Sequence, residues 1–312
     1  MEDRGDMTFP VPVPALATGV LPDPRILAGQ LAPASIAGYQ QDIAAYLRFC
    51  DTPPSALDAA SLARWRTHLA QHTRLSPYTI NRRLAAVKRL VQEAATQGYM
   101  AEARAEAFRR IAGVQVKALK DRTKATARLR ITPGQMRLLC EAPDRTTLLG
   151  WRDRALLHTL ASSGCRVSEV VTLTTAQLAS REGSFFLEVL GKNQTEARTA
   201  PLSHEAYASI QAWLARRPVE SAYLFTSFAG KGHRPTARPM HLSSAWRAVQ
   251  RAAQRVGLAH VKPHDFRRFV GTELARRDIR LAQKALGHKR IETTARHYVL
   301  DELAGGLTDG LY

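Results

Sequence analysis

Apolar residues recur at three- and four-residue steps over most of the chain, and the breaks in that rhythm divide it. Ile36, Tyr39, Ile43, Tyr46, Leu47 and Cys50 mark one helix face from Ser35, closed by Asp51 and the Pro53-Pro54 break. A second helix is predicted over 59–72, with Asp58 as N-cap and Leu62, Trp65 and Leu69 inward. Ser76 caps a third, which carries Ile80, Leu84, Val87, Leu90 and Val91 towards Gly98. A shorter helix over 103–111 completes a four-helix unit.

Beyond it, Thr132 caps a helix that opens on Pro133, and a strongly apolar helix follows near 147–162. Gly164 breaks that helix and Arg166 opens another, with Glu169 one turn on. By spacing alone this pair suits an ordinary surface ion pair. The period changes to two over 184–190, then comes a turn at 191–194 and a return over 195–200, which together predict a β-hairpin with Lys192 at its tip. Helices near 204–216 and 243–256 flank a Gly-, Pro- and Arg-containing stretch, 229–239, that reads as a loop. The expected fold is mainly α with a small β-hairpin or sheet, in two domains: a helical one over 31–113 and a mixed one over 131–312.

Two stretches lack periodicity. Residues 1–30, with Pro10, Pro12, Pro14, Pro22 and Pro24, read as an extended arm. Residues 114–130 hold Lys117, Lys120, Arg122, Lys124, Arg128 and Arg130 against one acid and read as an interdomain linker. The last residues, from about 299, place Leu300, Leu303, Leu307 and Leu311 in a tail suited to covering its own core or a neighbour.

Charge narrows the function. Lys+Arg number 45 against 27 Asp+Glu, a formal net charge of +18, which points to a polyanionic partner and most simply to nucleic acid. The polar face of the third helix (Asn81, Arg82, Arg83, Lys88) and the linker cations Lys117, Lys120, Arg122 and Lys124 are candidate DNA contacts. Three scattered cysteines form no CxxC pair, so neither a disulfide framework nor a zinc site is suggested, in keeping with a reducing cytoplasm. No apolar run reaches the roughly 18 residues of a membrane span.

The chemistry concentrates near the C-terminus. Read as a helix, His264 and Arg267 share a face with Arg268 beside them, while Phe266, Phe269 and Val270 supply the side that packs. Gly287 suits a helix C-cap, His288 follows at once, and Tyr298 comes ten residues later. Guanidinium groups match phosphate oxygens, imidazoles move protons and a phenol can attack phosphorus, so this set suits phosphoryl transfer. No phosphate loop and no carboxylate cluster for metal ions accompanies it.

Taken in order, Arg166 with Glu169, Lys192, His264-x-x-Arg267, Leu-Gly-His288 and Tyr298 resemble the tyrosine recombinase (phage integrase) family over about residues 33–300. The resemblance implies a two-domain DNA clamp, with an N-terminal core-binding domain and a C-terminal catalytic domain. It implies site-specific cleavage and rejoining of DNA through a 3′-phosphotyrosyl bond, with no cofactor, ATP or metal. Tyr298 would be the nucleophile, Arg166 and Arg267 the phosphate clamp, Glu169 an orienting group, His264 and His288 proton-handling groups, and Lys192 the general acid. It further implies a homotetramer on double-stranded recombination sites, a partner recombinase or accessory factor in some systems, and a prokaryotic, nucleoid-associated setting. Two features depart from the family pattern: Arg268 stands where His is common, and the step from His288 to Tyr298 is one residue longer than in many relatives. A strand-passing topoisomerase, a hairpin-forming resolvase and a silent DNA-binding protein remain alternatives.

Overall fold

The computed structural model describes residues 20–122, 130–190, 197–230 and 234–298, without the side chains of 296 and 297. Residues 1–19 of the arm, Lys124, Arg128, the Lys192 turn and the tail from 299 lie outside them. The chain divides into two compact units, residues 1–126 and 127–312, each with its own apolar core.

The first unit is helical: α1 (Pro33–Phe49), α2 (Ala59–His72), α3 (Pro77–Thr96) and α4 (Glu102–Arg110). Asp58 and Ser76 act as the expected caps, accepting from the amides of Ala60 and Thr79. The periodic residues Tyr46, Leu62, Trp65, Ile80, Leu84 and Leu90 are buried, and the Tyr46 hydroxyl donates to Ala56 O at 3.1 Å. Both flanks of the unit extend further than the sequence pattern suggested. Leu21 and Leu27 are buried, so residues 20–31 pack onto the unit instead of forming arm. Asn81 gives Nδ2–H to Val114 O (2.9 Å) and accepts Val114 N–H (2.7 Å), tying back the chain after α4. Val116–Arg122 then forms a 3-10 segment whose Leu119 packs on the first core, so this part of the expected linker is folded.

The second unit is built around α6 (Leu148–Ser163), against which α5 (Pro133–Glu141), α8 (His204–Arg216), α9 (Leu242–Arg255) and α10 (Pro263–Arg277) pack. Thr132 forms a capping box with Gln135, which fixes the entry to α5. The hairpin gains a partner: β1 (Leu178–Arg181), β2 (Ser184–Leu190) and β3 (Ala197–Leu202) form an antiparallel sheet in that order, with Leu187 opposite Ala200. The stretch expected as a loop contributes a second sheet, β4 (Thr226–Ala229) with β5 (Arg234–Pro239). Its prolines and arginines hide the strand pattern, because β5 is exposed along most of its length and so needs no apolar alternation. Arg152 on α6 is 2 % exposed and pairs with Asp153 at 2.7 Å, with Arg251 at 2.5 Å from the same carboxylate. One buried acid thereby joins α6 to α9.

Candidate active site

Four short elements bring the predicted residues together: α7 (Val167–Val170), the start of α10, α11 (Ile279–Leu286) and α12 (Ile291–Tyr298). Gly164, in the left-handed conformation at φ 62°, ends α6. A Cβ there would fall 2.9 Å from Leu286 and 3.0 Å from Val270, so glycine is what lets α6, α10 and α11 converge.

Arg166 caps α7. Its backbone N–H and its Nη1 each donate to Glu169 at 2.8 Å. This is no surface pair. Glu169 is buried, and a second guanidinium, Arg198 on β3, donates at 2.9 Å to Oε2, the oxygen that also accepts the Arg166 N–H. Burial acts to raise the Glu169 pKa, but the Arg166 amide, the Arg166 guanidinium and Arg198 together hold it below the ordinary carboxylate value. The Arg166 side chain stays 42 % exposed, so its far end remains open to a ligand.

Arg267 is turned inward. It is 2 % exposed, with Nη1 on Gly164 O (2.7 Å) and Nη2 on Leu286 O (2.7 Å) and 3.1 Å from His288 Nε2. Burial and the Arg166 charge lower its pKa, while Tyr298 and Glu169 act in the opposite direction; a guanidinium starts high enough to remain charged. The face shared by His264, Arg267 and Arg268 is therefore not a uniform cationic surface. His264 is exposed, one turn before Arg267, and Arg268 leans to Asp265 at 3.5 Å. Partial desolvation, then Arg268 and Arg267, push the His264 pKa down, so it is neutral near pH 7.

Gly287, at φ 66°, is the C-cap of α11, and a Cβ on it would collide with Arg198 Cδ at 2.5 Å. His288 follows, its Nδ1 2.9 Å from the hydroxyl of buried Thr294. The Tyr298 ring stacks on His288 (centroids 5.6 Å, 25° between planes) and is 4 % exposed. It lies so close to α10 that a Cβ on Gly271 would sit 2.4 Å from its Cδ1. Arg166, Glu169, Arg267, His288 and Tyr298 thus form one cluster, with His264 and Arg268 on the adjoining turn of α10. Lys192 lies outside the described residues.

Two members were not read from the sequence. Arg198 was one arginine among many, and only its place as the second residue of β3 singles it out. Thr294 gave a signal in hindsight, standing four residues before Tyr298 on the same helix face.

The candidate DNA contacts divide differently. Asn81 holds Val114, Lys88 donates to the carbonyls of Arg109 and Ile111, and Arg82 and Arg83 both meet buried Asp42. Lys117 and Lys120 are exposed and Arg122 is half-buried, all on the 3-10 segment; Lys124 lies outside the described residues.

A helical unit is thus followed by a mixed unit that gathers arginines, a histidine and a tyrosine in one cluster. Residues 129–302 match the phage integrase family and residues 25–99 match its N-terminal SAM-like domain, so the chain belongs to the phage integrase family of tyrosine recombinases. It is 28 % identical over 276 residues to tyrosine recombinase XerD of Ralstonia nicotianae, covering 85 % of this chain and 83 % of that one. It is 27 % identical over 288 residues to tyrosine recombinase XerC of Chromohalobacter salexigens, covering 88 % of each. Among solved structures, the Tn1549 transposon integrase with circular intermediate DNA shares the fold (TM-score 0.66, 17 % identity, 89 % of this chain and 94 % of that one). So does the XerH recombinase in its pre-cleavage complex with difH (TM-score 0.63, 19 % identity, 86 % and 77 %). The protein is a DNA-binding site-specific recombinase. Among the described residues no helix is long and apolar enough to cross a membrane.

Proposed function

We propose that this chain cleaves one DNA strand at a time by attack of Tyr298 on a phosphodiester, leaving a 3′-phosphotyrosyl bond and a free 5′-hydroxyl. The observation that carries this reading is the contact set of Arg267, which joins His288 and lies beside Tyr298. Arg166, held by Glu169 but open at its far end, and Arg267 clamp the non-bridging oxygens and stabilise the charge that develops there. His264 and His288 handle protons near the phosphate and nucleophile, and Lys192 protonates the leaving oxygen. Arg198 acts through Glu169: its Nη2 donates to the carboxylate that Arg166 also binds, while its Nη1 donates to the carbonyl of Ala285 at 2.7 Å.

The phosphotyrosyl bond keeps the energy of the broken linkage, so a 5′-hydroxyl from another strand can reverse the step without ATP. Exchange between two duplexes involves four strands and hence four such sites, which fits a homotetramer on paired recombination sites. Exposed Lys117 and Lys120 suit backbone contacts in that complex. A nicked suicide duplex carrying the cognate site, incubated with EDTA and no nucleotide, tests the reaction. Denaturing gels should show protein shifted by the mass of a strand for wild type and none for Tyr298→Phe. Equal shifts, or none for either protein on DNA that both bind, would contradict it.

A further inference from the structure

Thr294 has a fully buried hydroxyl-bearing side chain at the centre of the site. Its Oγ1 lies 2.9 Å from His288 Nδ1, and on the other edge of the ring Nε2 lies 3.1 Å from Nη2 of Arg267. A guanidinium only donates, so its contact with His288 requires a lone pair on Nε2. A neutral imidazole with its lone pair on Nε2 carries its proton on Nδ1, where the Thr294 oxygen stands to accept it. We propose that Thr294 is a positioning residue whose hydroxyl holds His288 in the Nδ1–H tautomer and keeps the Nε2 lone pair turned to the Arg267 guanidinium.

The catalytic consequence rests on the reaction proposed above, whereas the tautomer does not. With Nε2 accepting from Nη2, the Arg267 fork is held at three points, Gly164 O, Leu286 O and His288, in the orientation from which it meets the phosphate. A ring free to exchange tautomers would spend part of its time with Nε2 already protonated and unable to accept.

The test uses the full chain labelled with ¹⁵N-histidine. Long-range ¹H–¹⁵N spectra, with His288→Gln for assignment, should show His288 protonated at Nδ1 in wild type and in Thr294→Ser. Thr294→Val keeps the shape and removes the hydroxyl, and should shift the ring to a mixture or to the Nε2–H form. In single-turnover cleavage the valine variant should lose about tenfold or more, with DNA binding and melting temperature retained and serine near wild type. An Nε2–H ring in wild type, or an unchanged Nδ1–H ring in Thr294→Val, would overturn the proposal. Absence of cleavage by wild type itself would instead overturn the phosphotyrosyl reaction, and the spectra would still decide the tautomer.

Discussion

Arg267 illustrates how much one buried cation is asked to do. Its fork spans two backbone carbonyls and an imidazole, a geometry that an ammonium cannot reproduce. Arg267→Lys should therefore lower single-turnover cleavage by on the order of 10³ or more, the scale of a transition-state arginine. It should also lower the melting temperature, because Gly164 O and Leu286 O lose donors. Glu169 carries a pH signature. Its carboxyl titrates below its ordinary value of 4.5, so the native state releases this proton more readily than the unfolded chain does. The resulting stability is present in full above the ordinary value and is lost as pH falls through the lower native one. Glu169→Gln should flatten that acid limb in denaturant melts recorded from neutrality downward; an unchanged limb would mean that the two arginines do not hold the carboxylate charged. Arg198→Met removes one of those arginines without touching Arg166. The expected result is a fall in cleavage of at least about tenfold with DNA affinity retained, and a cleavage rate equal to wild type would exclude a positioning role.

Among the elements, the close approach of α10 and α12 sets where the nucleophile sits. Gly271 is buried in α10 and faces the Tyr298 ring, so Gly271→Ala, favourable for an isolated helix, places a methyl inside van der Waals distance of that ring. Covalent capture should drop by at least tenfold while DNA binding persists; capture at the wild-type rate would show that the tyrosine has room to move. The step from His288 to Tyr298 runs through α12. Thr294 and Tyr298 are four residues apart on α12 and so share a face, letting one meet the edge of His288 and the other its plane. Much of this was legible in the sequence. Caps such as Asp58, Ser76 and Thr132 and the break at Gly164 act within a few residues of the chain, and their positions follow from local chemistry. What stayed hidden was long-range. The sharing of Glu169 by Arg166 and Arg198 joins residues 29 apart, and the burial of Arg267 depends on carbonyls 103 and 19 residues away. The sheet at 226–239 was hidden for another reason, since an exposed strand rich in Pro and Arg carries no alternating signal.

Across the whole molecule, two separate cores and an excess of positive charge govern behaviour. Trp65 anchors the first core and Trp213 the second, each within a cluster confined to its own unit. Fragments 1–126 and 127–312 should each unfold cooperatively when expressed alone, as followed by tryptophan fluorescence, and a fragment without a transition would show that its core needs the other unit. A net charge of +18 also makes counterion release a large part of DNA affinity, so log K should fall linearly with log salt. Binding that is flat in salt would remove backbone contact as its basis.

The most direct single measurement is to map the covalent bond. The captured protein–DNA adduct is digested with nuclease and protease, and the modified peptide is sequenced by mass spectrometry. The nucleotide should be found on Tyr298, joined through its 3′-phosphate. A phosphorylated peptide lacking modification at Tyr298, or a nucleotide joined through its 5′ end, would contradict both the nucleophile and the polarity of cleavage.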